Sequence, residues 1–181
     1  MPPFFIEYTE PGFEKIAPIF LSDEDYSRAL QTFVFATTDI VPVEKGGKTI
    51  YLAQRKAKPM SGLWWIGGRM QMSETKEEAA VRNFQRETGL VLDPQRFEFV
   101  AVVDTRMKDR AHAPQELGCH SLNYTFTVEL TPEEIAFVTE HLDENEYHRE
   151  FGLRPFNRER LVSEGAPSII LEFYDQLFPV K

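Results

Sequence analysis

The chain has 181 residues, a formal net charge of −9 and 42% hydrophobic residues, which predicts one globular domain over 1–181 with a core of useful size. So acidic a chain lacks the broad basic surface of a nonspecific nucleic-acid binder, and no run approaches the ~18 apolar residues of a membrane span. Cys119 is the only cysteine, so no disulfide can form within the chain, which suits a cytoplasmic protein.

Residues 1–20 are apolar and interrupted by proline, and predict an arm or edge strand; they carry no basic run before their apolar residues, so no signal peptide is expected. Ser22-Asp-Glu-Asp opens a short helix to about Thr32. Phe33 to Val43 and Thr49 to Arg55 are β-rich and joined by a glycine turn, a hairpin signal. Leu63 to Ile66 is a short strand, and Phe97 to Asp104 and Ser121 to Leu130 are two more. Between that last pair lies a long polar loop, Met107 to His120, of the kind that often carries function. Thr131-Pro-Glu-Glu134 is a capping box with Pro at the first helical position, starting a helix to about His141. A charged loop, Asp143 to Glu150, is followed by a strand near Phe151 to Phe156 and helices over Asn157 to Glu164 and Pro167 to Phe178. Composition and order alone give α/β or α+β.

The most informative stretch is Gly67 to Leu90: a double glycine, a helix from Glu74 to Thr88 with Ser73 as expected N-cap, and Gly89 as its stop. Positions four apart share a helix face, so Ala80 and Phe84 can pack on a core while Asn83 and Glu87, with Arg86 alongside, point toward the glycine turn. Glu78, Arg82 and Arg86 are spaced for a charged ladder. An ordinary amphipathic helix, with Glu87 merely paired to Arg86, is the plain alternative.

This segment resembles the box of the Nudix hydrolases, G-x5-E-x7-R-E-U-x-E-E-x-G-U with U apolar. Gly68, Glu74, Arg82, Phe84, Glu87, Gly89 and Leu90 fall on its places, whereas Asn83 and Arg86 stand where the family has metal-binding carboxylates. One branch lacks the same two carboxylates, the GDP-mannose mannosyl hydrolases. More of the chain is similar to that branch: Leu52-Ala-Gln-Arg55, Pro59, Gly62, Trp64, the run from Gly67 to Gln71, Glu74-Thr75, and Asp39 in the first long strand.

The resemblance implies an α/β/α sandwich with a mixed β-sheet, a homodimer with residues 1–35 as a contact, and hydrolysis of a nucleoside diphosphate sugar by attack at the sugar carbon with release of the nucleoside diphosphate; the alternatives are a pyrophosphohydrolase that cleaves the diphosphate and a non-catalytic nucleotide-binding module that has lost turnover with its carboxylates. It also implies one Mg2+ per site, with Mn2+ as a substitute, held by Glu87, the Gly67 carbonyl and Asn145. Asp39, Arg55 and Arg69 would hold sugar and diphosphate, and Arg69 would assist the leaving group. The base would come from the 143–150 loop, as Glu146 or His148, with Glu144 a third choice. Guanidinium forks suit phosphate because they donate parallel hydrogen bonds. Phe4, Phe5, Tyr8, Trp64, Trp65 and Tyr124 are the aromatic candidates for stacking a base.

Overall fold

A computed structural model describes residues 5–179. The elements in chain order are α1 (Asp23–Thr32), β1 (Phe35–Val43), β2 (Ile50–Arg55), β3 (Gly62–Trp64), β4 (Ile66–Arg69), α2 (Lys76–Thr88), β5 (Phe97–Met107), β6 (Cys119–Glu129), α3 (Pro132–His141), β7 (Arg154–Phe156), α4 (Arg158–Ser163) and α5 (Ser168–Leu177). They build a seven-stranded mixed sheet in the order β3-β2-β1-β6-β5, with β4 also on β1 and β7 on β2. β1 runs parallel to β6 along its whole length, while its other edge is shared. Val43 pairs with Ile50 of β2, and Thr37 to Ile40 pair antiparallel with Arg69 to Ile66 of β4. That sharing sets Asp39 directly opposite Gly67.

Side chains alternate across a strand, so neighbouring residues serve opposite faces of the sheet. Ile40 and Ala53 join Phe84 of α2 and Val138 of α3 on one side; Val41 and Leu52 join Leu161 of α4 and Ile170 and Phe173 of α5 on the other. The result is the expected α/β/α sandwich.

Local structure departs from expectation at two places, and at a third, the 5–20 segment, it takes the arm of the two alternatives, arm or edge strand. The single strand expected over Leu63 to Ile66 is two, interrupted at Trp65, whose ring is buried against Phe173. The cap of α2 is Thr75, not Ser73: Thr75 and Glu78 form a reciprocal capping box, and Ser73 sits at φ 69° with its hydroxyl accepting from the Ile16 N–H. Residues 5–20 form no strand; they are pinned on α2 instead, through Lys15 to Glu78 and through Lys76, which pairs with Glu7 at 2.8 Å and lies over the Phe5 ring. Residues 1–4, including Phe4, lie outside the described residues. No helix among the described residues is long and apolar enough to cross a membrane.

Candidate active site

A cleft of about 260 Å3 opens where α1, the β3–β4 turn, α2 and the β5–β6 loop meet. Its floor is the double glycine. A side chain at Gly67 would strike the Thr38 carbonyl and come 2.7 Å from Asp39 Oδ1. One at Gly68 would lie 2.7 Å from Arg86 Nη2 and 2.8 Å from Asn83 Oδ1. The glycines are therefore required by close approach of strand β1 and helix α2 to the turn, not by unusual torsion angles.

The helix α2 buries two stripes. Ala80 and Phe84 enter the core as expected, and Asn83 and Glu87, 1% and 2% exposed, face the glycines. Asn83 is wholly engaged. Its Nδ2 donates to Thr38 Oγ1 at 2.9 Å and to the Arg69 carbonyl at 3.1 Å, and its Oδ1 accepts from Arg82 at 2.9 Å. Arg82 also binds Glu74, so the anticipated ladder of Glu78, Arg82 and Arg86 does not form: Arg82 braces the turn and Glu78 serves the cap and Lys15.

Glu87 is equally engaged. Oε2 accepts from Tyr147 Oη at 2.5 Å and from the Gly67 N–H at 3.1 Å, and Oε1 accepts from Arg86 Nη2 at 2.6 Å. Burial raises the Glu87 pKa, and Arg86, Tyr147 and the Gly67 N–H pull it back. Burial, then the charge of Glu87, holds the Tyr147 hydroxyl far above the usual range, so it stays protonated and donates.

Of the residues singled out in the sequence, Asp39, Arg55, Gly67, Arg69, Glu87 and Glu146 line this one cleft. Asn145 and His148 do not. The 143–150 loop runs beside β2, with Lys56 N–H on the Glu146 carbonyl and His148 N–H on the Gln54 carbonyl. Alternation along it turns Glu146 toward Arg55, at 2.9 Å, and Tyr147 under Glu87. Asn145 turns back onto Asp143, His148 out to Glu150, and Glu144 out to Arg149. The metal-ligand role expected of Asn145 and the base role expected of His148 thus lack their geometry. No group of three His, Cys, Asp or Glu poised for a metal occurs among the described residues.

Asp39 is 7% exposed, and its pKa is raised to about 7 by burial. The buried Trp65 indole N–H, which makes no hydrogen bond of regular geometry, and the charge of Arg55 pull it partly back. Arg69 lies with its guanidinium over the rings of Tyr26, at 4.0 Å, and Phe35, at 4.5 Å. Burial lowers its pKa to about 10, which still leaves a cation at neutral pH.

Three contributors escaped the sequence reading. Arg110, from the β5–β6 loop, is 1% exposed; it donates to the His112 carbonyl at 3.0 Å and to Ser27 Oγ at 2.6 Å. Tyr147 and the Arg69-clamping pair Tyr26 and Phe35 are the others. Only the loop's length and polarity signalled Arg110. Like Arg69, Arg110 has a buried Nη1 without a hydrogen-bond partner, and neither guanidinium has a carboxylate partner among the described residues. Of the aromatic candidates, Trp64 and Trp65 line the cleft, Phe5 packs on Phe99 and Tyr124, and Tyr8 is exposed.

A model of the NUDIX domain matches residues 35–168. Among solved structures, the chain is similar to a MutT protein from Methanosarcina mazei Go1, at TM-score 0.56 and 13% identity over 79% of this chain and 91% of that one. It is similar also to a bifunctional NMN adenylyltransferase/ADP ribose pyrophosphatase from Francisella tularensis, solved with AMP and a Mn ion, at TM-score 0.52 and 17% identity over 85% of this chain and 46% of that one. A MutT/nudix family protein from Enterococcus faecalis matches at TM-score 0.47 and 17% identity over 76% of this chain and 51% of that one. The chain thus spans about half the length of the last two proteins.

Proposed function

From the premise that this chain belongs to the Nudix hydrolases, which act on small nucleotide-containing substrates, we propose that it hydrolyses a nucleoside diphosphate sugar in the manner of the GDP-mannose mannosyl hydrolases. The observation that carries this reading is the charge of the cleft. In a chain of net charge −9, Arg55, Lys58, Arg69, Arg86 and Arg110 converge on one cleft beside the glycine turn. Arg110 is buried and Arg69 half-buried with its Nη1 enclosed, neither has an anionic partner among the described residues, and an uncompensated guanidinium out of water is costly unless a ligand supplies the anion. A diphosphate has that charge and the oxygens to match the forks.

In this reading Arg69 and Arg110 hold the diphosphate, and Asp39, which carries its proton up to about neutral pH, donates a hydrogen bond toward the sugar. Water attacks the anomeric carbon, the carbon–oxygen bond breaks, and the nucleoside diphosphate leaves with the electron pair. Glu146 takes the water proton, and Arg55, 2.9 Å from it, holds the carboxylate in place.

Nudix enzymes generally use divalent metal ions. The Mg2+ or Mn2+ implied by the resemblance does not fit the residues in their present arrangement: both oxygens of Glu87 already accept hydrogen bonds, and Asn145 is turned away. No step above passes through a metal. A homodimer would use the 1–35 segment, where Ile19, Phe20, Phe33 and Val34 are exposed, and the one-domain, cytoplasmic reading belongs to the same proposal.

A second reading, attack at phosphorus with release of a nucleoside monophosphate and a sugar phosphate, is favoured by one observation. Of the 143–150 loop, Glu146 enters the cleft and His148, the residue expected for carbon attack, turns out to Glu150. The similarity to an ADP ribose pyrophosphatase points the same way for substrate class. Incubation with a panel of nucleotide sugars in 18O water, with and without MgCl2, tests both. Label on the free sugar is expected; label on a phosphate establishes the second reading, and no turnover on any substrate overturns both.

A further inference from the structure

Of the three ligands that the resemblance assigns to a divalent ion, the Gly67 carbonyl and the Glu87 carboxylate lie together, and Asn145 is turned away. A cation is already there. Arg86 Nη2 lies 2.6 Å from Glu87 Oε1 and 3.4 Å from the Gly67 carbonyl oxygen, so one guanidinium nitrogen bridges both. We propose that Arg86 is the resident cation of this cleft, covalently tethered where the fold otherwise takes a metal ion, and that the cleft binds a nucleoside diphosphate without divalent metal. The substrate half of this inference rests on the functional reading above.

Three features support it. The space for the guanidinium is built in: a side chain at Gly68 would lie 2.7 Å from Arg86 Nη2. The other lost carboxylate has been replaced by an uncharged amide engaged at both ends, since Asn83 Nδ2 donates to Thr38 and the Arg69 carbonyl and Oδ1 accepts from Arg82. The guanidinium also has capacity left. It has five N–H donors, and among the described residues only Nη2 is used, while the Arg86 side chain lines the cleft and is 44% exposed. Its Nε and Nη1 are free for phosphate oxygens. Because Arg86 and Glu87 cancel, the net positive charge for a diphosphate comes from Arg69 and Arg110, which have no carboxylate partner among the described residues.

Arg86→Glu would place a second carboxylate beside Glu87 and remove the tethered cation. Mn2+ binding to the EDTA-stripped protein is read by electron paramagnetic resonance, with no nucleotide present; ADP and GDP binding are read by calorimetry in EDTA and in MgCl2. The wild type is expected to hold no stoichiometric Mn2+ and to bind its preferred nucleoside diphosphate within about twofold in the two buffers. Arg86→Glu is expected to gain a Mn2+ site and to lose metal-free nucleotide affinity by about tenfold or more. Should that variant not fold, by circular dichroism, Arg86→Gln is expected to show the same loss in EDTA. A tight Mn2+ site in the wild type, or nucleotide affinity there that rises more than about tenfold with Mg2+, overturns the proposal. Failure of the wild type to bind either nucleotide in either buffer sinks the substrate reading and, with it, metal-free binding. The nucleotide-free Mn2+ titration still decides separately whether Arg86 holds the ion's place.

Discussion

Asp39→Asn should change how stability depends on pH. Asp39 faces the glycine turn almost out of water, and its pKa rises from 3.8 to about 7 on folding. A group whose folded pKa is raised binds its proton more tightly in the folded state, so its contribution is fully present below the unfolded pKa and disappears as pH rises through the folded one. The window here runs from about pH 4 to about pH 7. At about 1.4 kcal/mol per pH unit inside that window, the folded state loses about 3 kcal/mol on this account between about pH 5 and pH 8. Asparagine keeps the shape and cannot titrate. Urea unfolding across this range, for wild type and variant, isolates the term as the difference between two curves. The salt-bridged carboxylates Glu74, Glu78, Glu134 and Asp175, whose pKa values are lowered, contribute equally to both proteins and cancel. The wild-type curve should fall relative to that of the variant as pH rises. Curves that stay parallel would refute the claim that Asp39 carries a proton in its folded setting.

Three further outcomes are expected. Gly67→Ala should cost about 1–3 kcal/mol in urea unfolding with an unchanged m-value, because the new methyl meets the Thr38 carbonyl and Asp39 rather than a side-chain end that can swing away. Tyr147→Phe should cost about 2 kcal/mol by the same assay, since it strips a donor from a buried carboxylate without opening a cavity; a loss below about 0.5 kcal/mol would show that Tyr147 does not hold Glu87. Arg69→Met should preserve the packing between Tyr26 and Phe35, and so the melting temperature, while nucleoside diphosphate affinity falls by about tenfold or more in calorimetry; an unchanged Kd would remove Arg69 from the site.

The helices and long strands were legible because their signals are local. Thr131 and Glu134 announce a capping box and form one, and Gly89 stops α2 in the left-handed region at φ 72°. The stripe of Asn83 and Glu87 pointed at the glycines follows from helical spacing alone, and it is found. Other features depend on partners distant in sequence. Thr75 outcompetes Ser73 as cap because Glu78 completes its box, while the Ser73 hydroxyl is taken by the arm at Ile16. Loop 143–150 reads as a solvated charge run, yet pairing with β2 fixes its alternation, which brings Glu146 and Tyr147 inward and sends His148 out. Arg110 could not be singled out among the polar residues of its loop, because what marks it is the absence of a carboxylate neighbour in space.

The two substitutions in the box become intelligible together as a change in where the cleft keeps its positive charge. A carboxylate replaced by Asn83 and another by Arg86 remove two negative charges and add one positive; on the proposal above, the helix then presents a cation of its own where a divalent ion would sit. The exchange has a chemical consequence. A guanidinium can steady the charge that accumulates on a departing diphosphate, as Arg clamps do, at any ambient metal concentration. It cannot act as a Lewis acid on phosphorus, nor lower the pKa of a bound water as a metal does. In the proposed reaction water activation then falls to a carboxylate, and the role is assigned to Glu146, 2.9 Å from Arg55. Carbon attack draws mainly on leaving-group stabilisation, which this cleft has in Arg69, Arg86 and Arg110; phosphorus attack draws on electrophilic activation, which a tethered arginine supplies less well. A metal-free cleft and label appearing on the free sugar are therefore linked expectations.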